Sequence, residues 1–465
     1  MRGKSLSPSA SLSHLCGNAV ATMAPKTPTT FNSSVVPSSR LGRLVRLGSM
    51  ATGVAGNMLM AGAQQLAQGK RPKLSDLLLT PANAHKITQQ LSQMRGAAMK
   101  VGQLISMDAG DLLPPEMAAI LGRLRSDAHA MPERQVRAVL TANWGAKWQQ
   151  RFETFSFTPI AAASIGQVHR ATTLDGRDLA IKIQYPGVRK SISSDVNNVA
   201  SLLQMSGLLP KTLDIAPLLM EAKRQLREEA DYQAEGAHLS RFCELLAGTP
   251  EFVVPTLHSD FTTKNVLAMS FVEGVPVESM ADASQLERDR MVSLLVGLLF
   301  RELFEFGLMQ TDPNFANYRY DPSSQQLILL DFGATRSFTP EFGAAYKQVM
   351  SATLAGDRQA MAKAGVSIGY FDASTLPRHQ TAVLDMFEMA LEPLGFDGDF
   401  DFGTTDMAPR LREAGMALGL DRDFWQIPPI DTLFLHRKLG GLFLLAARLK
   451  ARVNVRQLAL PYLNS

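Results

Sequence analysis

The chain has very few cysteines and no cluster with the spacing of a zinc site. Of its 465 residues only Cys16 and Cys243 are cysteines, too few for a disulfide framework, so we expect a reducing compartment. The eight histidines are scattered, and we interpret His169 and His436 as structural residues. With 46% hydrophobic residues, the chain can bury a two-lobed core and one appended domain.

Acidic residues are absent from the start of the chain. No Asp or Glu precedes Asp76, whereas Arg and Lys recur, and the first 35 residues are rich in Ser, Thr and Pro. This composition predicts a disordered, basic N-terminus over residues 1–46. It fits a mitochondrial transit peptide, and it fits a loose basic N-terminus of a bacterial protein equally well. A secretory signal is not expected, because no compact apolar core with a cleavage site is present.

Long runs of large apolar residues are also lacking. Residues 47–75 are Gly/Ala-rich, and the 23 residues from 47 to 69 carry no charge, enough to cross a bilayer. They contain little Leu, Ile or Phe, so insertion would be marginal. Two interpretations stay open. One is a membrane-associated segment whose basic flanks favour anionic lipids, and the other is a linker or soluble helix. The apolar run 434–445 is too short to span and predicts a buried helix.

Glycine is scarce in a loop where a kinase-type nucleotide site would carry it. In such sites a G-x-G-x-x-G-x-V loop over the ATP phosphates precedes a strand Lys. Here Lys182 lies on an alternating apolar strand, and the loop 16 residues before it keeps only its last glycine. Alanine does not block phosphates, but its Cβ removes the freedom to adopt positive φ, so we expect a stiffer loop. The candidate nucleotide-binding residues of this loop are Ala161, Ala162, Ala163, Ser164 and Gly166.

Two further elements complete the nucleotide end of the site. Lys182 needs a carboxylate to orient it, and by position we choose Glu229, inside a helical run, with Asp231 and Glu235 as secondary candidates. The 47 residues between Lys182 and Glu229 exceed an ordinary kinase separation, so residues 187–210 are predicted to be an extra helical insertion. The hinge, residues 269–273, is expected to receive adenine on its backbone, with candidate residues Met269, Phe271 and Val272.

The metal and base end of the site is indicated by spacing. Asp312 and Asn317 stand five residues apart, and Asp331 follows 14 residues later in an Asp-Phe-Gly after an apolar strand. This is the pattern of kinase-type phosphoryl transfer, in which Mg²⁺ takes a few protein oxygens plus phosphate oxygens. We predict Asn317 and Asp331 as metal ligands, and Asp312 as the residue that faces the attacking oxygen. A second Asp-Phe-Gly, at Asp401, lacks the preceding strand and predicts an ordinary loop.

The features with which a protein kinase docks a peptide are missing. After Gly333 the sequence turns helical with no long activation segment and no Ala-Pro-Glu. Gln-Thr-Asp at residues 310–312 replaces the His-Arg-Asp of protein kinases. Protein kinase activity on another protein is therefore the less favoured interpretation.

Taken together, these residues resemble the UbiB/AarF group of atypical, protein-kinase-like ATPases. Residues 100–103, Lys-Val-Gly-Gln, match its KxGQ motif, and Glu229 and Asp231 match its ExD motif. The alanine-rich loop and the strand lysine match in order and spacing, and the likeness extends from about residue 36 to about residue 453. The remaining matches are Asp312, Asn317 and Asp331.

The resemblance implies an α+β, bilobal protein-kinase-like fold with an N-terminal helical KxGQ extension. We place the extension at residues 76–155, the N-lobe at 156–275 and the C-lobe at 276–465. In this family the extension packs over the cleft where a protein kinase receives a peptide. Lys100 and Gln103 are therefore expected to point at the nucleotide site and to act there as catalytic residues.

The function that the resemblance implies is Mg²⁺-dependent turnover of ATP, with ATP or ADP bound, in support of ubiquinone biosynthesis at a membrane. Expected partners are anionic lipids, lipid-like ubiquinone precursors and biosynthetic enzymes, without nucleic acid, and a dimer is one oligomeric state to test. The expected location is the cytoplasmic face of a bacterial membrane or, alternatively, the matrix side of the mitochondrial inner membrane. Three alternatives remain: a small-molecule or lipid kinase, a protein kinase, and a nucleotide-binding scaffold without turnover.

Overall fold

The computed structural model describes residues 94, 96–98, 100–102, 130–205, 215–372, 374–421 and 429–463. The predictions for residues 1–46, for residues 47–75 and for Gln103 lie outside these ranges. Within the described part of the chain, no helix is long and apolar enough to cross a membrane.

The secondary structure is mixed. The strands are β1 (Phe152–Phe155), β2 (Ala161–Ala162), β3 (Gly166–Thr173), β4 (Asp178–Gln184), β5 (Phe252–Val253), β6 (Val266–Ser270), β7 (Val275–Pro276), β8 (Leu308–Gln310), β9 (Tyr318–Asp321), β10 (Gln326–Leu329), β11 (Thr335–Ser337), β12 (Phe400–Asp401) and β13 (Arg452–Val453). The helices are α1 (Glu133–Trp144), α2 (Val188–Met205), α3 (Ala216–Glu229), α4 (Tyr232–Leu246), α5 (Gln285–Arg301), α6 (Pro340–Ala355), α7 (Arg358–Ile368), α8 (Pro377–Ala390), α9 (Glu392–Gly395), α10 (Met407–Leu420), α11 (Ile430–Arg448) and α12 (Val455–Leu463).

The first lobe is built on a five-stranded antiparallel sheet. Its strand order is β1-β3-β4-β6, and β2 pairs with β3. Helix α1 packs on this sheet because Val136 and Leu140, one helical turn apart, are fully buried beside Trp148. The helix ends at Gly145, whose φ of 86° is a conformation that glycine adopts readily. Lys182 stands in β4 between Val168 of β3 and Leu267 of β6, so its backbone is fixed from both sides.

Three helices follow β4. Helix α2 occupies residues 188–205 of the predicted insertion 187–210, so the described part of that insertion is helical as predicted. Helices α3 and α4 are separate, because α3 ends at Glu229 and Asp231 caps α4. The Asp231 side chain accepts a hydrogen bond from the Ala234 N–H at 3.2 Å, which is the usual role of Asp at a helix start. The break places Glu229 and Glu235 on different helices.

The second lobe is largely helical around one large apolar core. A four-stranded sheet in the order β5-β10-β9-β7 lies beside it. The apolar run before Asp331 forms buried strand β10, and the run 434–445 lies in helix α11, both as predicted. The second Asp-Phe-Gly is an ordinary turn, as predicted: Asp401 belongs to β12, its Oδ1 accepts the Gly403 N–H at 2.8 Å, and Phe402 is buried.

Candidate nucleotide and phosphoryl-transfer site

Lys182 contacts residues from both predicted ends of the site, the nucleotide end and the end that contains Asp331. Its Nζ donates to both carboxylate oxygens of Glu235, at 2.7 and 3.0 Å, and to Oδ2 of Asp331 at 3.2 Å. The side chains of Lys182 and Glu235 are 10% and 2% exposed. The strand lysine and the Asp of the Asp-Phe-Gly motif, 149 residues apart in sequence, are therefore in direct contact.

The prediction that Glu229 orients Lys182 is wrong. Glu229 closes helix α3, whereas Glu235 lies in the first turn of α4, which faces strand β4 after the break at Asp231. Glu229 instead forms an ion pair with Lys100. The secondary candidate Glu235 is thus the partner of the strand lysine.

One cation between two carboxylates sets the charge of this cluster. Burial opposes the charge of Lys182, but the attraction of Asp331 and Glu235 outweighs it and raises the Lys182 pKa well above its ordinary value. Burial raises the pKa of Glu235 to about 7 against the attraction of Lys182. For Asp331, the attraction of Lys182 and the Gly333 N–H outweigh burial and lower the pKa. Two carboxylates around one ammonium leave the cluster with acceptor oxygens in excess, which favours a divalent cation.

The short helical stretch that contains Gly96 and Lys100 packs against the alanine-rich loop. Residues 96–98 and 100–102 are helical, and Lys100 is buried. Glu229, the ion-pair partner of Lys100, also accepts the Ser164 O–H at 2.6 Å on its other oxygen. Gly96 lies so close to the loop that a Cβ there would stand 2.9 Å from the carbonyl oxygen of Ser164 and from Cγ2 of Ile165. The tip of the loop is therefore held from two sides.

The alanine-rich loop is itself a tight turn between β2 and β3. Ala161 and Ala162 form β2, and the Ala163 N–H donates to the Gly166 carbonyl at 2.9 Å. A Cβ at Gly166 would collide with the carbonyl oxygen of Ile183, so glycine is required for the close approach of β3 to β4. The one retained glycine thus has a packing reason beside its predicted phosphate role.

The metal end of the site is assembled by two adjacent loops. The Asn317 side chain donates to the Asp312 carbonyl at 3.4 Å, and the Asn317 carbonyl accepts the Leu330 N–H at 2.9 Å. Oδ1 of Asp331 accepts the Gly333 N–H at 2.9 Å. One carboxamide oxygen and one carboxylate suit Mg²⁺ that also takes phosphate oxygens and water. In the described ranges, no group of three or more His, Cys, Asp or Glu could hold a metal ion.

The hinge follows strand β6. Met269 lies within β6, opposite Ala180 of β4. The Phe271 N–H donates to the Asp178 carbonyl at 2.9 Å, so that donor belongs to the sheet and is not available to adenine. Val272 is the first predicted hinge residue beyond this hydrogen bond.

Sequence reasoning missed two cations on α11 that hold the catalytic loop. Nη2 of Arg437 donates to Oδ1 of Asp312 at 3.1 Å. Nζ of Lys438 donates to the backbone carbonyl of Gln310 at 2.7 Å and to its side-chain oxygen at 3.1 Å. The sequence did show two adjacent cations inside the apolar run 434–445. Because buried charges need partners, these two could have been expected to contact polar groups elsewhere in the fold.

The antiparallel sheet with its buried strand lysine, the Asp and Asn of the catalytic loop and the Asp-Phe-Gly define a protein-kinase-like protein. The ABC1 atypical kinase-like domain matches residues 123–365. The mitochondrial atypical kinase COQ8 of Saccharomyces cerevisiae is 38% identical over 92% of this chain and 86% of the relative. The mitochondrial atypical kinase COQ8B of Rattus norvegicus is 39% identical over 91% and 80%. A solved complex of Rv3197 with erythromycin from Mycobacterium tuberculosis aligns with a TM-score of 0.58 at 25% identity, covering 82% of this chain and 95% of Rv3197.

The chain belongs to the ABC1 atypical kinase-like family, together with these COQ8 relatives. The resemblance to the UbiB/AarF group and the α+β, bilobal, protein-kinase-like fold are thereby confirmed.

Proposed function

We propose that this chain is a kinase-like ATPase that binds Mg²⁺ with ATP or ADP and supports ubiquinone biosynthesis at a membrane. The observation that carries the proposal is the contact of Lys182 with both Glu235 and Asp331. A strand lysine, its helical carboxylate and the Asp of an Asp-Phe-Gly meet in this way in sites that orient nucleotide phosphates.

Each residue has a role that its surroundings support. Glu235 orients Lys182 toward the phosphates. Asp331 and Asn317 would hold Mg²⁺, which would neutralise phosphate charge during transfer. Asp312 orients a water or hydroxyl oxygen. As that oxygen attacks the γ-phosphorus, the bond from phosphorus to the β–γ bridging oxygen breaks, ADP leaves with the electron pair, and the attacking oxygen passes its proton to Asp312.

The surroundings of the site favour water or a small acceptor over a peptide. Strand β11 begins two residues after Gly333 and pairs with β8, which leaves no long activation segment between them. The stretch around Gly96 and Lys100 lies against the alanine-rich loop, and Lys100 forms an ion pair with Glu229. A protein substrate would require this segment to move away. A small-molecule or lipid kinase would use the same residues and differs only in the acceptor.

The relatives bear on location. Both COQ8 relatives are named mitochondrial, which supports a mitochondrial location over a bacterial membrane. The proposed partners are anionic lipids, lipid-like ubiquinone precursors and biosynthetic enzymes. The basic, Gly/Ala-rich residues 47–75 and their flanks would supply the lipid contact.

Phosphate release from Mg-ATP by the purified full chain, with and without anionic liposomes, tests the proposal. Asp331→Asn should abolish release. Asp401→Asn, in the second Asp-Phe-Gly, is a matched control that should leave it unchanged, since Asp401 closes a distant structural turn. Nucleotide binding without release under any condition, in the wild type, would reject turnover in favour of a scaffold. Appearance of a phosphorylated lipid or small molecule would convert the ATPase into a kinase.

A further inference from the structure

Helix α11 contacts the catalytic loop through three residues on one face. Arg437, Lys438 and Gly441 stand at positions i, i+1 and i+4, which lie within about 100° of one another around a helix. We name these three residues the α11 face. Each of them contacts a different residue between Gln310 and Pro313.

Arg437 fixes the carboxylate of Asp312. Its guanidinium reaches Oδ1 at 3.1 Å, and the Asn314 N–H reaches the same oxygen at 3.3 Å. The hydrogen bonds that the Asp312 side chain accepts within the described ranges thus both end on Oδ1, and Oδ2 accepts none of them. The Arg437 side chain is 7% exposed and that of Asp312 20%, so solvent screens the pair only weakly.

Lys438 fixes the strand that leads into the loop. Besides Gln310, its ammonium contacts the hydroxyl of Tyr318 at 2.7 Å and Glu302 at 3.3 Å. Glu302 in turn accepts the Gln310 N–H at 3.1 Å. Gln310 is therefore bound at its N–H, its carbonyl and its side chain, and the loop that follows starts from an immobile residue.

Gly441 allows this approach. A Cβ at this position would collide with the side chain of Pro313, the residue directly after Asp312. Any larger residue would push α11 away from the loop and draw Arg437 from Asp312, because both lie on the same face. The loop from Asp312 to Asn317 contains no cation of its own, so α11 supplies the positive charge beside Asp312.

We propose that Arg437 is a positioning residue for Asp312, held in place by the rest of the α11 face. It acts by presenting Oδ2 of Asp312 to the attacking oxygen. This inference rests on the proposed function, because it assigns Arg437 a part in the turnover ascribed to Asp312.

The test is a double-mutant cycle in the purified full chain. Steady-state phosphate release from Mg-ATP and calorimetric binding of Mg-ADP are measured for wild type, Arg437→Gln, Asp312→Asn and the double variant. Arg437→Gln should lower kcat about 10- to 100-fold, the range for groups that orient another residue, with the Kd for Mg-ADP changed less than about threefold. The double variant should be no slower than Asp312→Asn alone. Arg448→Gln removes an arginine from the exposed end of the same helix and should leave kcat unchanged.

The outcomes separate the two proposals. Provided that the wild type turns over ATP, either of two results overturns the role of Arg437. In the first, the fold losses in kcat of the two single variants multiply in the double variant. In the second, Arg437→Gln has the same kcat as Arg448→Gln. A wild type with no release overturns both proposals. Arg437→Lys retains a cation and should recover part of kcat. If Arg437→Gln does not fold, Arg437→Lys takes its place in the double-mutant cycle. A lowered melting temperature together with weakened Mg-ADP binding would assign Arg437 a purely structural role.

Discussion

Two buried lysines, one in each lobe, are each paired with a buried glutamate, yet their surroundings differ. Lys182 contacts Glu235 and a second carboxylate, Asp331, whose side chain is 34% exposed. Lys438 contacts Glu302 and the neutral oxygens of Gln310 and Tyr318. In both cases burial opposes the charge and the neighbouring carboxylates still raise the lysine pKa.

We interpret Lys182 as a cation that can exchange one of its partners and Lys438 as a cation whose partners are fixed. Under the proposed function, an incoming phosphate would replace Asp331 as the second partner of Lys182, because Asp331 would then bind a metal ion instead. The neutral partners of Lys438 belong to the strand before the catalytic loop and to β9, and they have no alternative charge to bind. The first pair is therefore suited to ligand exchange, and the second to holding backbone. Four predictions follow this contrast, from the largest expected effect to the smallest.

Lys438→Met should lower the free energy of unfolding by about 3–5 kcal/mol, the range for breaking a buried ion pair, because Glu302 is left buried without its cation. Lys182→Met should cost less than half of this, since the side chain of its second carboxylate partner, Asp331, is 34% exposed to solvent. Denaturant unfolding of both apo variants measures the difference. The double variant Lys438→Met with Glu302→Leu should regain more than half of the loss, and equal losses for the two lysine variants would remove the contrast.

Lys182→Met should weaken Mg-ATP binding about 10- to 100-fold, which corresponds to a lost charged hydrogen bond of about 1.5–3 kcal/mol. Titration calorimetry on the purified chain measures the affinity. Lys264→Met, at an exposed lysine just before β6, is the matched control and should bind as wild type does. An unchanged affinity in the Lys182 variant would place the phosphates elsewhere.

The corrected pairing predicts coupling between Lys182 and Glu235 but not between Lys182 and Glu229. The changes in Mg-ATP binding free energy caused by Lys182→Met and Glu235→Gln should differ from additivity by about 1 kcal/mol or more, because each variant removes the same contact. Lys182→Met and Glu229→Gln should add, since Glu229 binds Lys100 and Ser164. Two parallel double-mutant cycles by calorimetry decide between the partners, and coupling to Glu229 alone would restore the original prediction.

His169 is a buried titratable group that, unlike Lys182 and Lys438, has only neutral hydrogen-bond partners among the described residues. Because the Gln167 side-chain oxygen accepts the Met131 N–H at 2.7 Å, its amide donates to Nε2 of His169, and Nδ1–H donates to the Ser156 carbonyl. Burial lowers the pKa of His169 from 6.5 to about 4. This neutral histidine therefore contributes full stability above about pH 6.5 that is lost as pH falls toward 4.

The slope from this residue should reach about 1.4 kcal/mol per pH unit in that window. Unfolding curves of wild type and His169→Gln between pH 7 and 5 measure it, and the variant should have the flatter dependence. Parallel curves for the two proteins would show that folding does not shift the pKa of His169.

Short-range spacing was enough to predict much of the site. Asp312 and Asn317 lie in one loop, and Asp331 ends the strand beside it, so their separation in sequence reflects a fixed local geometry. Lys182 could be placed because an alternating apolar run specifies a strand. The metal and nucleotide roles of these residues stay predictions, as do the roles of the alanine-rich loop and of the domain boundaries.

Other features could not be predicted from spacing. The acidic run from Glu228 to Glu235 has no apolar periodicity that distinguishes one helix from two, and only Asp231, a good N-cap, hinted at the break. Which glutamate faces Lys182 depends on the angle between α3 and α4, which is a tertiary property. The contact of Arg437 with Asp312 joins residues 125 positions apart and has no local pattern at all.

The position of α11 has a practical consequence for where the functional unit ends. The ABC1 match stops at residue 365, and a fragment cut there would retain Lys182, Glu235, Asp312, Asn317 and Asp331. It would lose α11, which begins at Ile430, and with it the guanidinium beside Asp312. Such a fragment would contain all five of these residues, yet the loop that carries Asp312 would lack its contacts with α11. The end of the domain match and the end of the part that supports Asp312 therefore lie in different regions of the chain.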